Sequence, residues 1–357
     1  MLLYDLPNAQ KGKGRRPSVI EQIYTSEEEA LTALVRGDVD VLQRIAPWQV
    51  DRLRRSDGIV VGSYRLPTIH TLVPNYSKPL LRRREFRRAL CYGIDRQRIV
   101  KDILLGGRNL AGFQVLSGPL PAGVSLSDPL GYAYNRSIKP RPYEPRLAAV
   151  LAAVARTTLA KSTLAKSTLT KSIKQSAPSS ESDANNEQRA GEEETSTATV
   201  KPLVLAHPPD AIARTTCQTI KLQLDAIGIP VELVELSPYL NADAEMVDYD
   251  LMYVEFPLWE PLVDLRRLLG PAGRVGSCSP AMSLALTSVD ESRNWKEART
   301  RLQHAHEVAF YDLPVVPLWQ TANFFARRET LQGVSTSPVL LYQNVANWKT
   351  SLLGAGQ

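Results

Sequence analysis

The sequence holds no uninterrupted apolar run of the roughly 18 residues that a membrane-crossing helix needs. Cysteine is scarce. Cys91, Cys217 and Cys278 lie far apart, form no CxxC spacing and so offer none of the common zinc frames. Their odd number fixes no disulfide pairing. Cys91 lies beside an apolar helical stripe, which predicts a small buried hydrophobe rather than a nucleophile. Histidine is scarce as well. His304 and His306 stand two apart on a predicted helix, point to different faces and make a poor metal pair. The sequence also has no glycine-rich phosphate loop, no GxSxG and no HExxH. It therefore offers no catalytic constellation, and neither enzyme activity nor a cofactor is expected. The opening stretch MLLYDLPNAQKGKGRRP has no apolar h-region and no small-residue cleavage site. Read alone, that predicts a cytosolic chain or one whose true start lies upstream.

What is present fits a globular protein. Hydrophobic residues make up 43% and charged residues 22%, an ordinary balance for a chain that buries a core. A length of 357 residues allows two or three domains, or one discontinuous pair. The net charge is +6, and arginine is concentrated at Arg82, Arg83, Arg84, Arg87, Arg88, Arg96 and Arg98. These lie in or beside EFRRALCYGIDRQRIVKDILLGG. Phe86, Ala89, Leu90 and Gly93 mark one face of a first helix. Asp95 suits the N-cap of a second, whose apolar stripe is Ile99, Val100, Ile103 and Leu104, and Gly106-Gly107 stops it. Two functions suit such a pair. A helix-turn-helix in a cytosolic nucleic-acid-binding protein would use the arginines on DNA. Otherwise the arginines are a solvated outer face of a structural hairpin. The second helix lacks the Asn, Gln, Ser and Arg cluster that reads base edges at its start, which favours the solvated face.

Along the chain, VIEQIYT alternates as a strand. Ser26-x-x-Glu29 is a capping box before a helix that Gly37 ends. DVDVL, IVVGSY and TIHTLVPN read as strands, and APWQVDRLRRSDG as a helix, so strands and helices alternate in an α/β layer. The proline-rich loop SGPLPAGVSLSDPLGYAYNRSIKPRPYEP leads to the helix RLAAVLAAVAR, with Pro145 near its start. Next come TLAKS-TLAKS-TLTKS and a long polar stretch. Leu159, Leu164 and Leu169 are five apart and keep no single helix face, so 158–199 is predicted to be a disordered insertion. Order resumes with VKPLVLAHPPD (strand), Ala211 to Ile227 (helix), IPVELVEL and VDYDLMYVEF (strands), a helix from about Glu291 to Tyr311, and VVPLWQTANFFARRETLQGV as strand, turn and strand.

These stretches resemble the C-terminal part of the family-5 extracellular solute-binding proteins, the peptide- and nickel-type receptors of ABC importers. EFRRALCYGIDRQRIVKDILLGG resembles the family's VRQAL-YAIDRE-IV helix pair. SGPLPAG followed by PYEPRLAAVLAAVA resembles its GP-PP and YDPEKAKALLAEAG stretches. IKLQLDAIGIPVELVEL, YDLMYVEF and AHEVAFYDLPVVPLWQTANFFARRETLQGV also find counterparts in the same order, between about Ser18 and Trp348. The resemblance implies an α/β, periplasmic-binding-protein-like fold of two lobes closing by a hinge. The N-terminal part of the family pattern is missing here. The implied organisation is a remnant of the first lobe (1–80), the second lobe in two parts (81–157 and 200–333) around the insertion (158–199), and a return to the first lobe (334–357). It implies a solute-binding subunit, monomeric, that takes a peptide or another small molecule without chemistry, hands it to a membrane permease and needs no nucleic acid. Its place would be the periplasm or cell envelope. Ligand contacts are expected at Tyr253, Glu255 and Trp259. Peptide-binding members also place an aspartate after this strand to pair the peptide amine. Here that stretch reads PLWEPLVDL, and Glu260 or Asp264 would take the role.

Overall fold

The computed structural model describes residues 2–5, 18–124, 128–175, 200–237, 248–276 and 279–351. A short ladder, β1 (Leu2–Asp5) against β2 (Ser18–Glu21), precedes the helix α1 (Glu27–Arg36). The Ser26 hydroxyl accepts the Glu29 N–H at 3.2 Å and starts α1, as the capping pattern predicts. β3 (Val41–Ile45), α2 (Val50–Arg54) and β4 (Ile59–Ser63) follow. β3 and β4 flank a strand from far down the chain, β11 (Phe324–Arg328), in a three-stranded antiparallel sheet. Leu31, Leu34, Ile45, Val50, Leu53 and Phe324 fill the core of this smaller lobe.

The larger lobe is built on β5 (Thr68–Pro74), every residue of which is buried. After it come α3 (Pro79–Arg82), α4 (Arg84–Gly93), the short α5 (Arg96–Arg98) running into a π-helical turn at Ile99–Leu104, and β6 (Gln114–Val115). Then follow α6 (Pro145–Gln175), β7 (Leu203–His207), α7 (Ala211–Asp225), β8 (Val231–Glu235) and β9 (Leu251–Pro257). α8 (Pro261–Leu269), α9 (Pro280–Asp290), α10 (Trp295–Asp312) and β10 (Val316–Thr321) complete the lobe. A last ladder pairs β12 (Leu331–Gln332) with β13 (Lys349–Thr350).

The six strands run in the order β6-β10-β5-β9-β7-β8. β5 is antiparallel to both its neighbours, while β7 is parallel to β8 and β9, with α7 as the crossover between β7 and β8. Side chains alternate across β5. Leu72 joins Phe86 and Leu90 of α4 and Ile220 and Leu224 of α7 on one face. Ile69 and Val73 join Leu265 of α8, Leu286 of α9 and Leu302 of α10 on the other. Helices thus cover both faces, which is why β5 carries almost no exposed residue. α4 and α6 pack closely through small side chains, Ala148, Ala152 and Ala155, each at most 1% exposed. Gly93 belongs to the same contact: a Cβ there would lie 2.6 Å from Ile227 Cδ1.

Three sequence expectations change. The arginines do not all lie on outer faces: Arg87 and Arg96 are 4% and 3% exposed. The Arg87 guanidinium donates to the carbonyls of Leu81 (2.7 Å), Arg82, Asp312 and Leu313 (each 2.8 Å). Arg96 donates to the carbonyls of Leu116, Pro317 and Arg141, and Arg141 donates to that of Phe310. Arg87 and Arg141 therefore sit on the free carbonyl end of α10, where the helix dipole favours a cation. Second, the predicted insertion does not begin at Thr158. α6 continues to Gln175, in keeping with the high helix propensity of Ala, Leu and Lys, and the Thr158 and Thr163 hydroxyls donate to the carbonyls of Val154 and Leu159. The rest of that insertion, 176–199, lies outside the described residues. Third, the strand, turn and strand expected over 315–334 are present as β10 and β11, but the two strands do not pair with each other and belong to different sheets. The sequence reading also passed over α8 and α9. Each starts with a capping side chain followed by proline, Glu260-Pro261 and Ser279-Pro280, a start signal that their short apolar runs did not reinforce.

Replacing Arg87 by Gln leaves several buried carbonyls without donors, each costing about 1–3 kcal/mol. Urea denaturation should show a stability loss of about 3 kcal/mol or more for Arg87→Gln, against a few tenths for exposed Arg84→Gln.

Candidate functional site

Two chain crossings join the lobes. β4 passes into β5 through Tyr64–Pro67, and β10 passes into β11 through Ala322 and Asn323. The crossings run side by side: the Tyr64 N–H donates to the Asn323 carbonyl at 2.9 Å, and the Asn323 amide donates to the Thr68 hydroxyl at 2.5 Å. Between the lobes, next to these crossings, lies a cluster of polar side chains. The register sets it up. His70 of β5 pairs with Glu255 of β9 on one side and with Trp319 of β10 on the other. An irregularity between Pro317 and Trp319 keeps Trp319 and Thr321 on the face of His70.

His70 is fully buried and hydrogen-bonds Tyr253 Oη (2.6 Å) through Nδ1 and Thr321 Oγ1 (2.8 Å) through Nε2. Glu255 Oε1 lies 3.4 Å from the same Nδ1 but has no hydrogen-bond partner, and the buried indole N–H of Trp319 has none either. The other oxygen of Glu255 pairs with Arg44 of β3 at 2.7 Å, and Arg44 stands 3.9 Å from Asp210, the N-cap of α7. Glu27 of α1 accepts the Ala46 N–H at 2.9 Å and adds a third carboxylate to this neighbourhood. Burial, assisted by the Arg44 cation, holds the His70 imidazole down at about 3, so it is neutral near pH 7. Burial pushes the Tyr253 phenol well above its ordinary value, with Glu255 adding to the effect. It also raises the carboxyls of Glu27 and, with repulsion from Glu255, of Asp210.

Of the residues expected at a ligand, Tyr253 and Glu255 join this cluster. Trp259, Glu260 and Asp264 lie beyond the end of β9. Trp259 is 47% exposed. Asp264 accepts the backbone N–H groups of Trp259 (2.8 Å) and Glu260 (3.0 Å), while Glu260 accepts that of Leu262 (3.2 Å) and the Tyr132 hydroxyl. Both carboxylates therefore cap α8. Arg44, His70, Asp210 and Thr321 were not singled out from the sequence. His70 carried a signal, a lone ring-nitrogen side chain inside the otherwise buried strand TIHTLVP. Arg44 carried none, since an arginine on a short strand reads as a solvated residue.

Another polar group looks like a nucleophile pair and is not one. Ser117 Oγ lies 3.3 Å from His306 Nε2, but the Asn135 N–H donates to Nδ1 at 2.9 Å. Burial lowers His306 to about 4. The neutral ring then carries its proton on Nε2 and cannot take one from the serine. Among the described residues no group of three or more His, Cys, Asp or Glu could hold a metal ion. A cavity of about 790 Å³ is lined by Asn75, Arg82, Arg84, Arg87, Ser279 and Asp312 and shares no residue with the cluster.

Residues 7–261 match the sequence profile of the bacterial extracellular solute-binding proteins, family 5 Middle. The chain belongs to this family. Over 102 residues it is 31% identical to the probable D,D-dipeptide-binding periplasmic protein DdpA of Escherichia coli (strain K12), a match covering 29% of this chain and 19% of that protein. Family-5 structures share its fold. DppA from Helicobacter pylori, in complex with the peptide STSA, superposes with a TM-score of 0.71 at 17% identity, covering 96% of this chain and 59% of that one. NikZ from Campylobacter jejuni, in complex with Ni(L-His), gives 0.68 at 15% identity, covering 96% and 63%. The chain thus spans less than two thirds of the length of these family-5 relatives. No described helix is long and apolar enough to cross a membrane.

Two of the buried histidines, His70 and His306, set a pH response. Their folded pKa values, about 3 for His70 and about 4 for His306, lie below the ordinary 6.5. Between pH 6.5 and 4 the unfolded chain therefore binds protons that the folded chain does not, and stability falls as pH falls. The slope is about 1.4 kcal/mol per pH unit for each histidine. Glu27 and Asp210, with raised values, act in the opposite sense at the acidic end. Urea midpoints measured across this window should drop towards acid, and His306→Gln should remove about one histidine's share of the slope.

Proposed function

We propose that the chain is the solute-binding component of an ABC-type importer and takes a peptide or related small solute in the cleft between its lobes. The observation that carries this reading is the pair of adjacent crossings at 64–67 and 322–323, with a polar wall beside them built from both lobes. We take the lobes to divide at these crossings rather than near residues 80 and 333. Two lobes on two parallel connections can close over a solute by small backbone rotations at the connections, which suits capture and release without chemistry. The family and its peptide- and nickel-complexed fold relatives support the solute class. By the same reading the partner is a membrane permease, the chain works as a monomer in the periplasm or cell envelope, and nucleic acid has no part. The buried arginines support the last point, because Arg87 and Arg96 are committed to backbone carbonyls.

Within the cleft, Glu255 faces the solute as the acceptor for a donor group, and Tyr253 supports it from behind through His70. Trp259 is an exposed aromatic at the strand end, suited to cover an apolar side chain of the solute. Glu260 and Asp264 hold this turn in shape through α8.

Isothermal calorimetry against a library of short peptides tests the proposal. A subset should bind, and both Trp259→Ala and Glu255→Gln should weaken that binding at least about tenfold, equivalent to about 1.4 kcal/mol. Arg83→Gln/Arg84→Gln should leave it unchanged. Absence of binding by any library member, together with tight sequence-selective binding of duplex DNA at physiological salt, would overturn the reading.

A further inference from the structure

The side chain that bridges the cleft belongs to the protein itself. Arg44 projects from β3 of the smaller lobe, while the two carboxylates within 4 Å of it, Glu255 on β9 and Asp210 at the start of α7, belong to the larger lobe. The two ends of this ion pair are joined covalently only through the crossings. The pair therefore reports, and resists, separation of the lobes. Its partners are unequally satisfied. Asp210 accepts the Ala213 N–H at 3.0 Å, and Glu27 accepts the Ala46 N–H. Glu255, 12% exposed, has Arg44 as its one cationic neighbour in the described structure and keeps its other oxygen unpaired. His70 beside it is neutral and cannot take the place of Arg44. A largely buried carboxylate with one counter-charge holds that charge firmly, because losing it leaves an uncompensated buried anion. A second ion pair, Arg108 with Asp51, also crosses between the lobes. Both of its side chains are about a third exposed (30% and 34%), against 12% for Glu255, so solvent screening leaves it a weaker hold on the lobes.

We infer that Arg44 acts as an intramolecular clasp, its guanidinium filling the place opposite Glu255 and holding the cleft closed when no solute is present. The inference rests on the cleft reading above. A solute enters by displacing this guanidinium from Glu255, and a solute bearing an ammonium or guanidinium group can replace the lost charge. Arg44 is suited to leaving: its side chain is 38% exposed, and its second carboxylate, at 3.9 Å, is beyond hydrogen-bond distance. No bond is made or broken in this exchange; one cation replaces another beside the same carboxylate.

Distances between the lobes test the clasp without any solute, so the result is independent of whether a peptide binds. Spin labels at Val35→Cys on α1 and Leu222→Cys on α7 sit at positions 57% and 69% exposed. Cys91 and Cys217 are buried, and Cys278→Ser removes the remaining thiol. Double electron–electron resonance on the full chain should give one narrow distance in the parent at low salt. Arg44→Gln and Glu255→Gln should each lengthen and broaden it, and the double variant should go no further than either alone. Arg44→Lys, which keeps the charge, should hold the parent distance, and Asp51→Asn should leave it unchanged. Circular dichroism confirms that each variant is folded before it is compared. Superimposable distance distributions for the parent, Arg44→Gln and Glu255→Gln would overturn the clasp.

Discussion

The structure turns on one pair of neighbours in a ladder. β5 and β10 are hydrogen-bonded in the middle of the larger sheet, with Thr68 opposite Thr321, and both leave it at that end for the smaller sheet. Because the crossings are adjacent, the connection between lobes is narrow, and whatever stands beside it stands in the cleft. The same register brings His70 next to Glu255 and Trp319. The joint between the lobes and the polar wall of the cleft are thus two results of one strand pairing. Neither could be altered without the other, since a one-residue slip would turn His70 and Leu72 to the opposite face.

Charge is handled in two ways in this chain. In the body of the larger lobe, Arg87, Arg96 and Arg141 are neutralised by no carboxylate among their hydrogen-bond partners; they take backbone carbonyls at strand and helix ends. Those carbonyls would otherwise be orphaned, so the guanidiniums fix how α4, α10 and the loop before α6 meet. In the cleft the arrangement is reversed. Carboxylates outnumber cations, and Glu255 keeps an oxygen with no donor. The unpaired oxygen in the cleft belongs to a carboxylate, which offers a stronger acceptor than the isolated hydroxyls of Thr71, Thr216 and Ser292 left unpaired elsewhere in the larger lobe.

Much of this was legible in the sequence, for stated reasons. Strands such as TIHTLVP and YDLMYVEF announce themselves by β-branched and aromatic content, and α1 by Ser26 and Glu29. The family pattern carried the two-lobe fold. What was not legible depends on distance along the chain. Whether an arginine is solvated or buried depends on carbonyls more than 200 positions away, as for Arg87 and Leu313. That β10 and β11 part company depends on which sheet each finds, and a short Ala-Asn link between them looks like any hairpin turn. Tyr253 and Glu255 could be named because they lie on a recognisable strand, and both join the polar cluster. Arg44 and Asp210 were missed because their importance exists only once the lobes face each other.

The irregularity in β10 has a reach beyond its own strand. Up to Leu318 the even-numbered side chains face the α4 side of the sheet; from Trp319 onward the odd-numbered ones do. Pro317, which has no N–H to give, occupies the step where the ladder is interrupted. One extra residue therefore resets the phase of everything downstream. That phase passes through Ala322 and Asn323 into the other sheet, where Phe324 and Ala326 fill one core and Phe325 another. Two hydrophobic interiors in separate lobes are kept in step by a single-residue offset, much as two gears keep their alignment through one tooth. Length in this short strand is consequently a stricter requirement than composition: a side chain can be exchanged locally, but a deletion would be felt on both sides of the cleft.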